Sequence, residues 1–471
     1  MGVLQELRAL LRLPGFRQLF LVRVVSQAGD GAFQVGLATV LFFSPETAGT
    51  AAQIAGGFAI MFAPFVIAPF VGVLLDRWQR RGILLWANVV RAAVTLAAAA
   101  VMLMASGTWV VAGLGLVALS LNRFILSGLS AGMPLVLVDH PSVEPRGDSS
   151  RVETTATSVE RADGFDTDLR PGSTDGHRGS SAGDLLLTAN SVVPTLGAGA
   201  TFLGGGIGFA LGFLLPQGRT RDAVALVVAS LLMAAAAACA LRLSPGQLGP
   251  EHPATTRIFD DVAVILTDLR DAARYLVARK TPAQGLMVMA AHRFLYGIVF
   301  IAAILISRNL LSPGDVTAGI ATFATIIGLI GVGGGLAVVL TPVISRNTGP
   351  QVWVGLMLIL AAFSQGVMAV SHARLVIMVC ALLLGLAAQA AKIAVDTIVA
   401  RDTEDDYRGR AFAFYDLLFN AAFTAAAGLA AVIVPDMGWS RPLFLGLAAA
   451  YGLIAVMVLT RAARTPQPTM L

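Results

Sequence analysis

Charge is scarce in this chain. Only 13% of its 471 residues are Asp, Glu, Lys or Arg, about half the ~25% of a soluble globular protein. So few charges cannot dress a surface of this size for water, which excludes soluble enzymes and soluble binding modules. Cysteine is nearly absent too. The two, Cys239 and Cys380, lie far apart in apolar runs and form no disulfide framework. Lysine is confined to Lys280 and Lys392, and the five histidines are scattered. There is no phosphate-binding loop, no metal-ligand cluster and no nucleophilic triad, so no cofactor, metal or catalytic role is expected. The net charge of +5 suits loop arginines facing an anionic membrane surface, not a nucleic-acid partner.

What the chain does have is apolar length. Hydrophobic residues make up 56% of it, gathered in stretches of roughly 20 residues or more, enough to cross a ~30 Å hydrocarbon core. Twelve spans are predicted, at 16–43, 51–75, 82–105, 109–138, 185–215, 222–241, 285–306, 315–343, 351–370, 374–400, 411–434 and 439–461. Richness in Ala, Leu, Val and Gly without regular alternation predicts helices rather than barrel strands. Arg8, Arg12 and Arg17 precede a first run too long for a signal-peptide core, so that run is expected to stay as a span.

Basic residues set the expected orientation. With a cytoplasmic N-terminus, 23 of the 33 basic residues fall on the cytoplasmic side, five on the other and five within spans. Both termini are then cytoplasmic. Two long connectors interrupt the spans. Segment 139–183 is dense in Ser, Thr, Asp, Gly and Pro, has Phe165 as its one aromatic residue, and is expected to be a disordered cytoplasmic insertion. Segment 242–284 carries Phe259, Val262, Leu266, Leu269, Ala273 and Leu276 at spacings of three and four. That pattern predicts an amphipathic helix linking two six-helix halves, 1–241 and 285–471.

Charges at membrane depth are costly and default to a functional reading. The first span carries Arg23, Gln27, Asp30 and Gln34 on one face, and the fourth carries Arg123, Ser127 and Ser130. His292, Arg293 and Tyr296 lie in the seventh span, Gln389, Lys392 and Asp396 in the tenth, and Asp416, Asn420 and Thr424 in the eleventh. Such stripes must face each other or water. Gln34, Ser130 and Thr424 read as interhelical glue, while Asp30 and the Lys392–Asp396 pair read as proton-coupling groups. A bland alternative keeps Lys392–Asp396 structural and lets Arg23 hold Asp30. Gly204, Gly208 and Gly212 predict a close helix contact, and Gly331, Gly333, Gly334 and Gly335 are expected to loosen the eighth span.

Between the second and third spans runs GVLLDRWQRRGILL. Gly72, Leu74, Asp76, Arg77, Arg80, Arg81 and Leu85 match, in order, the signature loop of the major facilitator superfamily, which this segment resembles. SQAGDGAFQVGL, DLRDAARYL and DDYRGRAFAFYDLLFN look like segments of that family's bacterial drug-efflux branch, which includes macrolide exporters. The resemblance implies an all-α membrane protein of twelve helices in two pseudo-symmetric six-helix bundles. It also implies a central cavity lined by helices 1, 4, 7 and 10, and alternating access. Four of the polar stripes lie on those helices. The chain departs from the family pattern at Gln79, at FLGGGIGF (which lacks a Gly-Pro step), at Gly128 and at Ser345.

The expected function is proton-coupled export of a hydrophobic or amphipathic small molecule across the plasma membrane by a monomer. Its partners would be substrate, protons and the lipid bilayer. A carrier dedicated to one metabolite or siderophore, and a receptor or scaffold without transport, are the competing readings. Because 139–183 cannot bury a core, deleting 141–181 should leave the yield of correctly inserted protein unchanged in a detergent-extraction assay. Loss of folded protein would show instead that the segment docks on the bundle.

Overall fold

A computed structural model describes residues 10–43, 49–66, 78–104, 107–133, 182–214, 219–244 and 258–464, with a few isolated positions besides. Regular structure among the described residues is helical. Thirteen α-helices follow one another: α1 Pro14–Ala38, α2 Ala51–Val66, α3 Arg80–Leu103, α4 Thr108–Gly132, α5 Ala182–Leu214, α6 Arg219–Leu241, α7 Ile258–Ala278, α8 Lys280–Leu305, α9 Val316–Thr348, α10 Pro350–Val370, α11 Arg374–Asp402, α12 Asp405–Ile433 and α13 Arg441–Arg464. Nine helices among the described residues are long and apolar enough to cross a membrane. Each predicted span has a helix within it, α7 being the linker helix. In the second span the helix is described as far as Val66, and most of the rest lies outside the described residues, as does nearly all of 139–183.

Local chemistry sets the helix ends. Pro14 and Pro350 occupy first turns, where a missing N–H costs nothing. Asp315 caps α9 by accepting the Ala318 N–H at 2.9 Å. Gly349 turns α9 into α10 at φ 80°, a conformation that a side chain would make costly. At corresponding places, α1 and α8 each run on into a single π-helical turn, Thr39–Phe43 and Ile306–Leu310.

The packing scheme occurs twice. Helix α1 lies against α5 as α8 lies against α12, and α3 packs on α4 and α6 as α10 packs on α11 and α13. Helix α2 meets α4 as α9 meets α11. Glycine permits the tightest of these contacts. A Cβ on Gly204 would overlap the backbone of Ala28, joining α5 to α1, and one on Gly333 would overlap the Leu382 carbonyl. The glycines expected to loosen the eighth span therefore include one that clamps α9 to α11, because only a missing side chain lets two backbones approach so closely.

The N-terminal set α1–α6 and the C-terminal set α8–α13 meet through α2, which packs on α12 and α8. Contacts between the sets gather at the end away from the chain termini. There the Asp436 carboxylate accepts the Ala51 N–H at 2.8 Å, and Arg221 donates to the Thr317 hydroxyl at 3.3 Å. Phe43 meets Phe323 at 5.8 Å between ring centres. At the opposite end α7 docks on the C-terminal set. Leu276 is buried, Tyr275 stacks on Tyr407 at 4.1 Å, and Arg279 pairs with Glu404. Leu266, on the apolar face expected to lie on the membrane surface or against the bundle, is exposed together with Val264.

Large apolar side chains such as Phe202 and Val432 point outward, 80% and 82% exposed, as a lipid-facing surface requires. Gly204→Ala should lower the melting midpoint of the detergent-solubilised protein by several degrees, since overpacking costs about 1–3 kcal/mol. Gly206→Ala, with open space around its Cβ position, should leave it unchanged. Equal midpoints for the two variants would refute the clamp.

Candidate functional site

The polar stripe of α1 is split between two neighbours. Asp30 turns to α3 and forms a buried ion pair with Arg91. Arg91 Nη1 also donates to Ser26 Oγ at 3.4 Å, and Ser26 donates to Asn88 Oδ1 at 3.1 Å. Asn88 in turn donates to the Leu84 carbonyl at 2.7 Å, completing a buried chain between α1 and α3. Arg23, the partner offered by the sequence, does not hold Asp30. It donates to Gln27 Oε1 at 3.4 Å, and both side chains press on α5 at Gly197. Gln34 is half-buried further along α1. Sequence reasoning missed Arg91. Its signal was present in the third span, where Asn88, Arg91 and Thr95 recur at spacings of three and four and form a polar stripe that was overlooked.

Two further arginines rest on aromatic faces. The Arg123 guanidinium of α4 lies 3.6 Å over the Phe65 ring of α2. From Phe65 the rings continue to Phe62 at 5.7 Å and then to Phe423 of α12 at 4.9 Å. Arg293 of α8 sits over that same Phe423 ring at 3.9 Å, with Phe419 at 4.3 Å and Tyr296 at 5.2 Å. Phe58 and Phe300 complete the layer, 5.7 Å apart across the two sets. A cation at membrane depth costs about 2.5 kcal/mol or more, and a desolvated cation–π contact returns ~2 kcal/mol. The rings thus make the arginines tolerable without neutralising them. His292 points the other way. It is buried against Tyr451 of α13, whose hydroxyl donates to the His292 carbonyl at 3.4 Å.

In the C-terminal set Lys392 donates to Asp396 at 2.7 Å, the two side chains 35% and 33% exposed. The Lys392 ammonium is also 5.6 Å from the Tyr415 ring. Asp416 is exposed on α12, and Asn420 donates to its backbone carbonyl at 2.8 Å. Gln389 faces α9, in reach of a Cβ at Gly334. The structure therefore brings together Asp30 with Arg91 and Lys392 with Asp396, and joins Arg123 to Arg293 through rings. It does not bring Arg23, Gln389 or His292 into those groups. Of the signature loop, Arg80 and Arg81 donate to the carbonyls of Leu248 and Leu241, each at 3.2 Å, while Gly72, Asp76 and Arg77 lie outside the described residues. Among the described residues no His, Cys, Asp or Glu group is arranged to hold a metal.

No family model matches the chain. An uncharacterised MFS-type transporter of Mycobacterium tuberculosis (strain ATCC 25618 / H37Rv) is 31% identical over 464 residues, covering 98% of this chain and 94% of the relative. An uncharacterised MFS-type transporter of Mycobacterium bovis matches to the same extent. The chain belongs to the major facilitator superfamily. It is thus a multi-pass membrane transporter and not an enzyme. Solved structures with a similar fold include a bacterial homologue of the iron transporter ferroportin in its inward-facing state, with TM-score 0.63, 15% identity and coverage of 97% of this chain and 100% of that one. The nucleoside transporter NupG follows at TM-score 0.61 and 11% identity, over 94% and 98% of the two chains.

For this facilitator the buried pair gives a direct test. Arg91→Ala strands the Asp30 carboxylate and should cost about 3–5 kcal/mol, whereas removing both partners should recover most of the loss. Melting midpoints of Arg91→Ala, Asp30→Ala and the double variant measure this. Strictly additive losses would show that the pair is not coupled.

Proposed function

We propose that this transporter is a proton-coupled exporter of a hydrophobic or amphipathic small molecule, working by alternating access in the plasma membrane with both termini cytoplasmic. Its spans number twelve, in two six-helix bundles at 1–241 and 285–471, linked by 242–284, and it acts as a monomer. The observation that carries the reading is the aromatic layer Phe58, Phe62, Phe300 and Phe423, which joins the helix sets towards the end away from the termini. In the expected orientation that end is external, so the sets are joined on the outer side, and an exporter loads from the cytoplasm. Resemblance of the first and eleventh spans to the drug-efflux branch supports the direction.

Coupling rests on Asp30. Its carboxylate is buried and its charge is balanced by Arg91, so taking up a proton breaks the ion pair and frees Arg91. A charge that can be cancelled only by a proton or by a neighbouring cation ties proton movement to helix movement. In the other bundle Asp396 is already paired with Lys392 one turn away, which leaves Asp30 as the proposed proton carrier.

The two protonation roles separate experimentally in proteoliposomes. Asp30→Asn should still exchange substrate across the membrane at a rate within a few-fold of the unmodified protein, yet fail to concentrate it when a pH gradient is imposed. Accumulation by Asp30→Asn at the unmodified rate would remove Asp30 from coupling and point to Asp396 or Asp416.

A further inference from the structure

The charges at membrane depth do not balance. In the N-terminal set Asp30 answers Arg91, and Arg123 stands on the neighbouring α4 against the Phe65 ring. Arg123 therefore adds a positive charge that no carboxylate answers among the described residues, since Asp30 is already engaged. Its guanidinium has a ring beneath it, and its Nε, shielded from solvent, has no hydrogen-bond partner. Arg293 is in the same position in the C-terminal set. Its guanidinium lies against the rings of Tyr296, Phe419 and Phe423, and its Nε is likewise unpartnered. Among the described residues neither arginine meets a carboxylate within 4.0 Å.

The arrangement of these two cations is specific. One comes from each helix set, and both lie on the single run of rings Phe65, Phe62 and Phe423. A guanidinium held over a ring face can still present N–H groups to a ligand, and such donors match the two oxygens of a carboxylate. Of the rings between them, Phe62 and Phe65 are half-buried and Phe423 is buried beneath, an apolar and flat-sided layer.

We propose that the transported molecule is an organic anion: a carboxylate, or a group of like charge, carried on an apolar and preferably aromatic body. The acid group engages Arg123 and Arg293 while the body lies on the phenylalanine layer. Bound between the two arginines, the anion supplies the missing countercharge and bridges the two helix sets, so its arrival and departure bear on how the sets move. The inference rests on the transport reading above and narrows its substrate class.

Three probes of one shape test it: 4-phenylbutanoate, its uncharged amide and the corresponding amine. Binding is read as a ligand-dependent shift in melting midpoint of the full-length protein in detergent, and transport as uptake into proteoliposomes. The carboxylate should bind at millimolar concentration or below and at least tenfold more tightly than the amide or the amine. Arg123→Gln and Arg293→Gln should each weaken that binding at least tenfold. Arg123→Lys and Arg293→Lys should fall between, which separates lost charge from lost fold. Equal or tighter binding of the amide or amine overturns the inference. So does no shift with the carboxylate, or unchanged binding in both glutamine variants. Selective carboxylate binding without gradient-driven uptake would leave the anion site standing and retire the transport mechanism. Gradient-driven uptake of the amine in place of the carboxylate would do the reverse.

Discussion

Hydrocarbon neither donates nor accepts hydrogen bonds, and that constraint shapes this molecule more than any single contact. Every backbone group must be satisfied within its own segment, so the regular structure among the described residues is helical. A buried polar side chain is then stabilised chiefly by what it meets on a neighbouring helix. The Asp30–Arg91–Ser26–Asn88 chain is the fullest instance: four polar residues on two helices, closed off by the Leu84 carbonyl. Individually such interhelical bonds contribute only ~0.6 kcal/mol on average. Breaking one half of an ionic pair costs several times that, so the cluster orients α1 against α3 far more firmly than its net contribution to stability suggests.

Where polar partners are lacking, shape takes over. Between α1 and α5, and between α9 and α11, the contact is backbone on backbone at Gly204 and Gly333. Dispersion needs such proximity, because lipid offers no hydrophobic force to push helices together. The two helix sets, by contrast, meet on phenylalanine rings and a few hydrogen bonds at one end. Rings slide and re-stack at low cost, while glycine clamps do not. The tightest contacts within each set are thus backbone on backbone, while those between the sets are largely side chain on side chain.

Much of this was legible in the residues. Scarce charge and long apolar runs indicated a polytopic helical protein, and the loop beginning at Gly72 together with the span pattern indicated the superfamily. The linker helix was visible from spacing alone, and Lys392 and Asp396, one turn apart, were correctly paired because that contact is local. Asp30 was picked out correctly as a buried carboxylate, but its partner was not. Arg23 shares its face and helix, whereas Arg91 lies 61 positions away on another helix. His292 and Arg293 looked alike in sequence, yet adjacent residues on a helix point about 100° apart. One is buried against α13, and the other reaches the rings of α12.

The sequence by itself determined the solvent this protein lives in, the helices it forms and the charges it must bury, since these follow from composition and period along one chain. Tertiary structure alone decided which charge answers which. Packing brought Arg91 to Asp30 and turned Arg23 aside to α5. It also set Arg123 and Arg293 on one run of rings with no carboxylate of their own among the described residues. The physical reason is that countercharge depends on distance between helices, and periodicity within a helix carries no information about which neighbour it will meet.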